Sequence, residues 1–349
     1  MVEGSVAVTV PADGRSSAGW SVRVAAVGRT RAGERVLDGF DLTVAVGEIV
    51  AIVGPSGCGA TTALRVIAGL ERADTGTVSI ADGLSTAAVF AHTAVPRFGR
   101  VGEAVAIVSR RAGHPDPDAR ARELCGLLGL SDPEAATHRL ARGDRRRVLL
   151  ARALASEARI LLLDDPLDGL QNYERAVLRD RLVEHLRDRR ITAVWVTRET
   201  SEAAAVADRI AVMVRGRIAA SGSPEDLFRH MGDPAVAAVL GPVSTVPGIV
   251  EDVTVDVWGQ DVPLAEAGPD GHCEVIVRPD QVVLVGPTEP GVDAVVQETR
   301  FLSNMRLTQV RAQDGSVVQI EHSVEDRVAP QAPVRIALAT SAVTVRPLG

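Results

Sequence analysis

At 349 residues, with 46% hydrophobic and 24% charged content, the chain suits a globular protein of at least two domains with real cores. A formal charge of −7 argues against a general nucleic-acid binder. The three cysteines, Cys58, Cys125 and Cys273, are spaced for neither a disulfide framework nor a zinc site, and suit a reducing compartment. No apolar run approaches the length of a membrane span and the N-terminus lacks a signal-peptide hydrophobic region, so a cytosolic location is expected. Aromatics make up only 3% of the chain, so its core must be aliphatic. All 38 residues counted as Lys plus Arg are arginine.

In chain order, residues Met1 to about Ala18 are rich in glycine, serine and small residues and read as a loose tail. Strands are expected over Ser21–Val27 and Phe40–Val46. The apolar run Ile49–Val53 then leads into Gly-Pro-Ser-Gly-Cys-Gly-Ala-Thr-Thr (Gly54–Thr62), and a helical pattern begins at Ala63. Strand, glycine-rich turn and helix are the setting of a phosphate-binding loop, whose backbone N–H groups turn inward at a helix N-terminus. The motif G-x-x-x-x-G-K-[S/T] carries a lysine where this chain has Ala60. With no lysine anywhere in the sequence, none can stand in from elsewhere. Arg65, five residues further along the helix, points well away from Ala60.

Short strands follow at Thr77–Ile80 and Thr86–Phe90, then helical patterning over Val101–Leu154, broken by loop signals at His114–Pro117 and Ser131–Pro133. Arg159–Asp165 reads as a buried strand, Glu174–Arg189 as an amphipathic helix and Thr192–Thr197 as another buried strand. This alternation predicts a parallel sheet covered on both faces. Arg209–Val214 and Arg217–Ala220 close the domain, and Ser223–Asp226 starts a small helix with proline in its first turn. After about Gly241 the composition shifts to valine-rich segments separated by Gly, Pro and Asp: Glu274–Val277, Val282–Val285, Val292–Val296, Leu307–Val310, Val317–Ile320, Val334–Leu338 and Ala342–Val345. These predict a small all-β domain, a barrel.

Four stretches carry a resemblance: Gly54–Thr62, Leu140–Leu154 (LARGDRRRVLLARAL), Ile160–Gln171 (ILLLDDPLDGLQ) and Val194–Glu202 (VWVTRETSE), followed by Ala207–Met213. In this order they resemble the nucleotide-binding subunit of an ABC transporter. The C-terminal part, with Val277-Arg278-Pro279-Asp280, resembles the oligomer-binding β-domain of importer ATPases for iron(III), polyamines, sulfate or sugars. The resemblance implies an α/β P-loop NTPase domain over residues 19–240, with a helical subdomain over about 93–155. After it, residues 241–349 would form an OB-like or TOBE-like β-barrel.

The same resemblance places nucleotide binding at Gly54, Ser56, Gly57, Gly59, Ala60, Thr61 and Thr62, with phosphate oxygens falling to Ser56, Gly57, Gly59 and Thr62. Mg²⁺ falls to Thr61 and Asp164, and the signature segment to Leu140, Ala141, Arg142, Gly143 and Asp144. It also marks departures. The glutamate that polarises the attacking water is Asp165, one methylene shorter, and the switch histidine is Arg198. Ala91 holds the position of the glutamine that links the metal site to the membrane subunits, and Gln171 that of the aspartate closing the loop after the metal strand. The adenine-stacking aromatic expected near Val27–Thr30 is missing, and packing roles are expected for Trp20 and Tyr173. Arg142 puts a bulky side chain where backbone must come close, and Asp144 is expected to neutralise it. The run Arg145-Arg146-Arg147 reads as a solvated helix face.

The family places ATP, with Mg²⁺, between the phosphate loop of one subunit and the signature of a second. Integral membrane permease subunits are the direct partners, a substrate-binding protein is an indirect one, and nucleic acid is not involved. The resulting expectation is a peripheral subunit on the inner face of the membrane that couples ATP binding to transport with weak or absent hydrolysis. A fully active transport ATPase and a non-catalytic regulatory or scaffold subunit are the two alternatives. Co-purification with membrane subunits in the absence of nucleotide would favour the scaffold.

Overall fold

The computed structural model describes residues 19–96, 99–229, 233–265, 267–339 and 342–348. The tail read over residues 1–18 lies outside them. The chain divides into two compact units, one ending at Pro224 and the other starting at Glu225.

The first unit opens with β1 (Trp20–Arg31) and β2 (Glu34–Ala45), an antiparallel hairpin longer than the sequence pattern predicted. Its two-residue turn, Ala32-Gly33, has positive φ at both positions, the twist that suits a tight hairpin. The strand β3 (Ile49–Val53) follows and is buried throughout. The phosphate-type loop comes next, then α1 (Ala60–Ile67). The strand β4 (Thr75–Ile80) returns to β1, giving a three-stranded antiparallel sheet in the order β2-β1-β4.

The strand β5 (Thr86–Val89) leads to the helical stretch α2 (Val101–Arg111), α3 (Pro117–Leu127) and α4 (Arg142–Ala155). The His114–Pro117 signal works as read: Asp116 accepts a hydrogen bond from the Ala119 N–H at 2.9 Å, and Pro117 occupies the first turn of α3. Then come β6 (Ile160–Asp164), α5 (Asn172–Asp188), β7 (Thr192–Thr197), α6 (Thr200–Val206), β8 (Arg209–Val214) and β9 (Arg217–Gly222).

Among the described residues these strands form a six-stranded sheet in the order β5-β6-β7-β3-β8-β9, parallel except for the β8–β9 hairpin. Every residue of β3, β6 and β7 is buried, as expected for a sheet covered on both faces. The core is aliphatic as composition required, with Trp195 and Phe40 as its fully buried aromatics. The neighbours β7 and β3 are not consecutive in the chain, and with β6 beside β7 the loops at the C-terminal ends of all three converge.

From the boundary onward, α7 (Pro224–Arg229) and α8 (Pro234–Leu240) precede, among the described residues, ten strands. One sheet takes β10 (Ser244–Glu251), β11 (Thr254–Val257), β12 (Gln260–Pro263), β13 (Gly271–Val277) and β19 (Thr344–Pro347), in the order β12-β11-β10-β13-β19. The other takes β14 (Val282–Val285), β15 (Val292–Leu302), β16 (Met305–Ala312), β17 (Val317–Ser323) and β18 (Pro333–Leu338), in the order β14-β18-β15-β16-β17. The expected all-β domain is there: among the described residues its strands form two five-stranded sheets sharing one valine-rich core.

The unit also starts earlier than the composition shift at residue 241. The side chain of Arg278 lies 5.3 Å over the Phe228 ring and donates to the Phe228 carbonyl at 3.0 Å, which ties α7 to the β unit.

Candidate functional site

The loop after β3 has the backbone a phosphate cradle needs. Gly57 and Gly59 have φ of 84° and 104°, which L side chains adopt only with strain. A Cβ on Gly54 would stand 2.3 Å from the Met213 carbonyl oxygen, so only glycine fits against β8 there. Ser56 and Gly57 are exposed while Thr62 is buried. Ala60 opens α1 and is only 7% exposed, part of the apolar cluster that includes Leu37, Leu64 and Met213. Hydrocarbon therefore stands where the motif has its cation. Arg65 does not reach back to the loop; its guanidinium lies 5.7 Å over the Phe90 ring.

At the end of β6, Asp164 is 3% exposed, and both its carboxylate oxygens lie 3.2 Å from the Thr61 hydroxyl, which donates to them. Two segments a hundred residues apart thus bring a hydroxyl and a carboxylate to one point, a donor pair suited to Mg²⁺ when phosphate oxygens and water complete the shell. Among the described residues no group of three or more His, Cys, Asp or Glu side chains could hold a metal by itself.

Asp165 has a left-handed backbone, φ 44°, fixed by its N–H donating to the Val196 carbonyl at 2.9 Å. Its carboxylate lies 3.7 Å from Arg198 Nε, so the positions of the water-polarising glutamate and the switch histidine are filled by an ion pair. Burial pushes the Asp165 carboxyl above the usual aspartate range; Arg198 pulls it down, while Asp164 and Asp168 push it further up.

The signature segment is organised differently from expectation. Leu140 precedes α4, and its carbonyl accepts from Arg145 Nε at 3.0 Å. Ala141 caps α4, and Gly143 packs so closely on the loop after β6 that a Cβ would meet Leu170 at 2.8 Å. Arg142 pairs with Asp168 at 2.6 Å, while Asp144 stands 3.7 Å from Arg147, so the expected neutralisation of Arg142 by Asp144 is corrected. Asp144 lies within a turn of Arg147 on the helix, whereas Arg142 at the helix start faces the neighbouring loop.

The solvated-face reading of Arg145–Arg147 is also corrected. Arg145 is exposed, but Arg146 is only 5% exposed and Arg147 donates to the Leu128 carbonyl at 2.8 Å. Arg146 Nη1 donates to the Phe90 carbonyl at 3.0 Å and Nη2 to the Ala91 carbonyl at 3.4 Å. Burial lowers the Arg146 pKa, and Asp168, Asp164 and Asp165 oppose that shift. Arg142 and Arg146, one helical turn apart, share Asp168, which lies 4.0 Å from Arg146. Asp168 is not among the residues the sequence marks; the i, i+4 spacing of Arg142 and Arg146 is the available signal for a shared partner.

Behind the switch position a cavity of about 320 Å³ is lined by Asp165, Asp168, Arg175, Arg198 and Glu202. Glu202, 6% exposed, accepts a 2.9 Å hydrogen bond from the indole of Trp195. Burial pushes its carboxyl above the ordinary 4.5, against the pull of Trp195, Arg175 and Thr197. A raised folded-state pKa means stability that is present below 4.5 and is lost as pH rises through the folded value. Glu202→Gln keeps an acceptor for Trp195 and removes this linkage. Compared with the variant, the wild type should therefore lose stability as pH rises above about 4.5, as read from urea midpoints at successive pH values. A difference that is flat with pH, or runs the other way, would contradict the assignment.

Over Val27–Thr30, where an aromatic was sought, Arg29 instead bridges Glu71 at 2.9 Å and Asp74 at 2.8 Å. Trp20 stacks with Arg23, whose guanidinium is 5.0 Å from the ring centre. Tyr173 is 82% exposed, so the packing role expected for it is corrected: it sits in the solvent-facing first turn of α5.

Residues 37–168 match the ABC transporter family model. An Fe(3+) ions import ATP-binding protein of Rhodococcus jostii is 34% identical over 308 residues, which is 84% of this chain and 88% of that protein. A sulfate/thiosulfate import ATP-binding protein of Rhodopseudomonas palustris is 36% identical over 306 residues, covering 82% and 88%. Among solved structures, the dimeric ATP-binding cassette MJ0796 bound to ADP and Pi superposes with a TM-score of 0.54 at 23% identity. It covers 58% of this chain and 98% of the cassette, a likeness of fold. Similarity of this extent to curated relatives makes the chain a member of the importer-type ABC transporter ATP-binding subunits.

Proposed function

We propose that this subunit binds ATP at the loop Gly54–Thr62 and couples that binding, with little or no hydrolysis, to permease subunits in the membrane. One observation carries the reading. The cradle and the Thr61–Asp164 pair are in place, while Asp165 is engaged by Arg198 and position 60 is alanine. Backbone amides and the Ser56 and Thr62 hydroxyls hold phosphate oxygens. Thr61 and Asp164 would hold Mg²⁺, whose contribution when bound is charge neutralisation on the phosphates. Arg198 keeps the Asp165 carboxylate in an ion pair, away from the work of orienting water.

In this reading the chain works on the inner face of the membrane, paired with a second nucleotide-binding subunit of the same or another kind. Its substrate-binding protein is reached only through the permease. No helix among the described residues is long and apolar enough to cross a membrane. The in-chain pairing of Arg142 with Asp168 favours the scaffold alternative over the fully active one, because a signature held by its own chain is less free to meet a partner's nucleotide.

Calorimetric titration of the full chain with ATP, with phosphate release followed in the same sample, tests the proposal. Saturable binding without phosphate above background is expected. Absence of binding removes the nucleotide reading, and steady phosphate release at the rate of an intact importer ATPase removes its non-hydrolytic half.

A further inference from the structure

We propose that the large cavity of the C-terminal β unit binds an amphipathic organic anion, an aliphatic body carrying one carboxylate or sulfonate. This is independent of the nucleotide reading above. The cavity measures about 790 Å³, within the roughly 300–1,000 Å³ of small-molecule sites, and its walls are mainly apolar. A break in the valine core makes it. Val296 and Val310 face each other across β15 and β16 and are fully buried, but the next inward pair is Ala294 and Ala312. Two methyl groups there leave room that two isopropyl groups would fill. Leu284, Val285, Val328 and Val334 add to the apolar lining, and Val295, which is 42% exposed, opens it to solvent.

The charged side chains lining this cavity are Asp293, Arg311 and Arg335. Arg335 pairs with Asp293 at 2.6 Å, and its Nε donates to the Glu289 carbonyl at 2.9 Å. Arg311 is held by neutral oxygens instead. Its Nη1 donates to the Gly315 carbonyl at 3.3 Å, and the Gln297 amide oxygen, oriented by the hydrogen-bond network, accepts from Nε and Nη2 at 3.0 and 3.1 Å. These contacts fix the guanidinium without neutralising it, and among the described residues they leave two of its five N–H groups for a ligand. Asp314, the acid nearest to Arg311 in sequence, is turned to the Trp258 indole at 3.0 Å and the Ser316 N–H at 2.8 Å. The Glu289 carboxylate folds back on its own loop, 3.3 Å from where a Gly286 Cβ would stand. One positive charge is therefore unmatched among the described residues that line the cavity. An apolar wall with one pre-set, surplus guanidinium suits a ligand that is apolar along its length and anionic at one end. Burial drives it in, and the anion fixes its direction. A neutral aliphatic molecule leaves the cation unmatched, and an inorganic oxyanion has nothing to place on the valines.

The test is calorimetry on the full chain, without nucleotide, with octanoate as the probe beside octanol and inorganic sulfate. It is run on wild type, Arg311→Gln and Val295→Asp. Octanoate is expected to bind the wild type saturably at one molecule per chain, octanol at least about fivefold more weakly and sulfate not measurably. R311Q keeps a donor for the Gly315 carbonyl and removes the charge, so it should lower octanoate affinity about fivefold and leave octanol unchanged. V295D sets a like charge at the opening and should lower octanoate affinity about tenfold or more. Both positions are exposed, so both variants should keep the wild-type circular dichroism. Absence of octanoate binding overturns the proposal, as does octanol binding as tightly as octanoate, or sulfate alone saturating the site. Octanoate binding that neither substitution weakens lies elsewhere and overturns it too. If one variant does not fold, the other and the wild-type titrations decide. None of these outcomes bears on ATP binding.

Discussion

Steady-state ATP turnover by the purified chain is expected to lie at least about 10²-fold below that of an importer subunit with its lysine and glutamate in place. Loss of one preorganised charge-stabilising donor costs about 2.7–4 kcal/mol in a transition state. A carboxylate displaced by about 1 Å costs roughly 100-fold. Such losses do not add, so the larger single term sets the floor. Both apply here. Ala60 supplies no charge, and the Asp165 side chain is one methylene short on a backbone tied by its N–H to the Val196 carbonyl. Its raised pKa makes Asp165 a stronger base than a surface aspartate, but a base must first reach its proton, and this one is engaged by Arg198. The Asp165→Glu variant alone should recover less than about tenfold, since the missing lysine and the Arg142–Asp168 pair remain. Continuous phosphate-release kinetics on contaminant-free protein measures this. Turnover within tenfold of an intact subunit would mean that another group supplies the missing charge.

The sheet, the phosphate-type loop and the order of motifs were legible because they depend on local pattern. Buried parallel strands read as unbroken apolar runs, and Ile49–Val53, Ile160–Asp164 and Thr192–Thr197 emerged within a residue or so of their sequence-derived limits. The strands β10 to β12 did not, because their alternation is masked by breakers. In β10 the inward positions are Val246, Gly248 and Val250, with Pro247 between two of them. Gly248 is a packing choice: a Cβ there would meet Val275 at 2.7 Å and Val255 at 2.8 Å. What a sequence does not display is which distant group a side chain faces. Arg142, Arg145, Arg146 and Arg147 look alike in a row, yet only the fold brings the Phe90 and Ala91 carbonyls to Arg146 and Asp168 to Arg142. The loss of the family's charged groups was visible residue by residue. That Arg198 faces Asp165 while Arg142 and Arg146 share Asp168 was not.

Ala60→Lys is the substitution with the largest expected gain: ATP should bind about 10- to 100-fold more tightly, with turnover unchanged. The cradle needs no rebuilding, since Gly57 and Gly59 already hold the loop open and α1 begins at residue 60. One unit charge about 4 Å from another is worth about 4 kcal/mol at an effective dielectric near 20. Desolvation reduces this to the roughly 1.5–3 kcal/mol of a charged hydrogen bond. The apolar surroundings of Ala60 suit the four methylenes of lysine, leaving only the ammonium to reach the phosphates. Ala60→Met separates the two contributions, because it fills the same space without charge. It should bind ATP no better than wild type, and both variants should melt within a few degrees of it. Turnover stays low in A60K because Asp165, Arg198 and Arg142 are untouched. Calorimetry on the three proteins in one buffer gives the answer. If A60K binds no more tightly than A60M, the triphosphate does not lie along this loop.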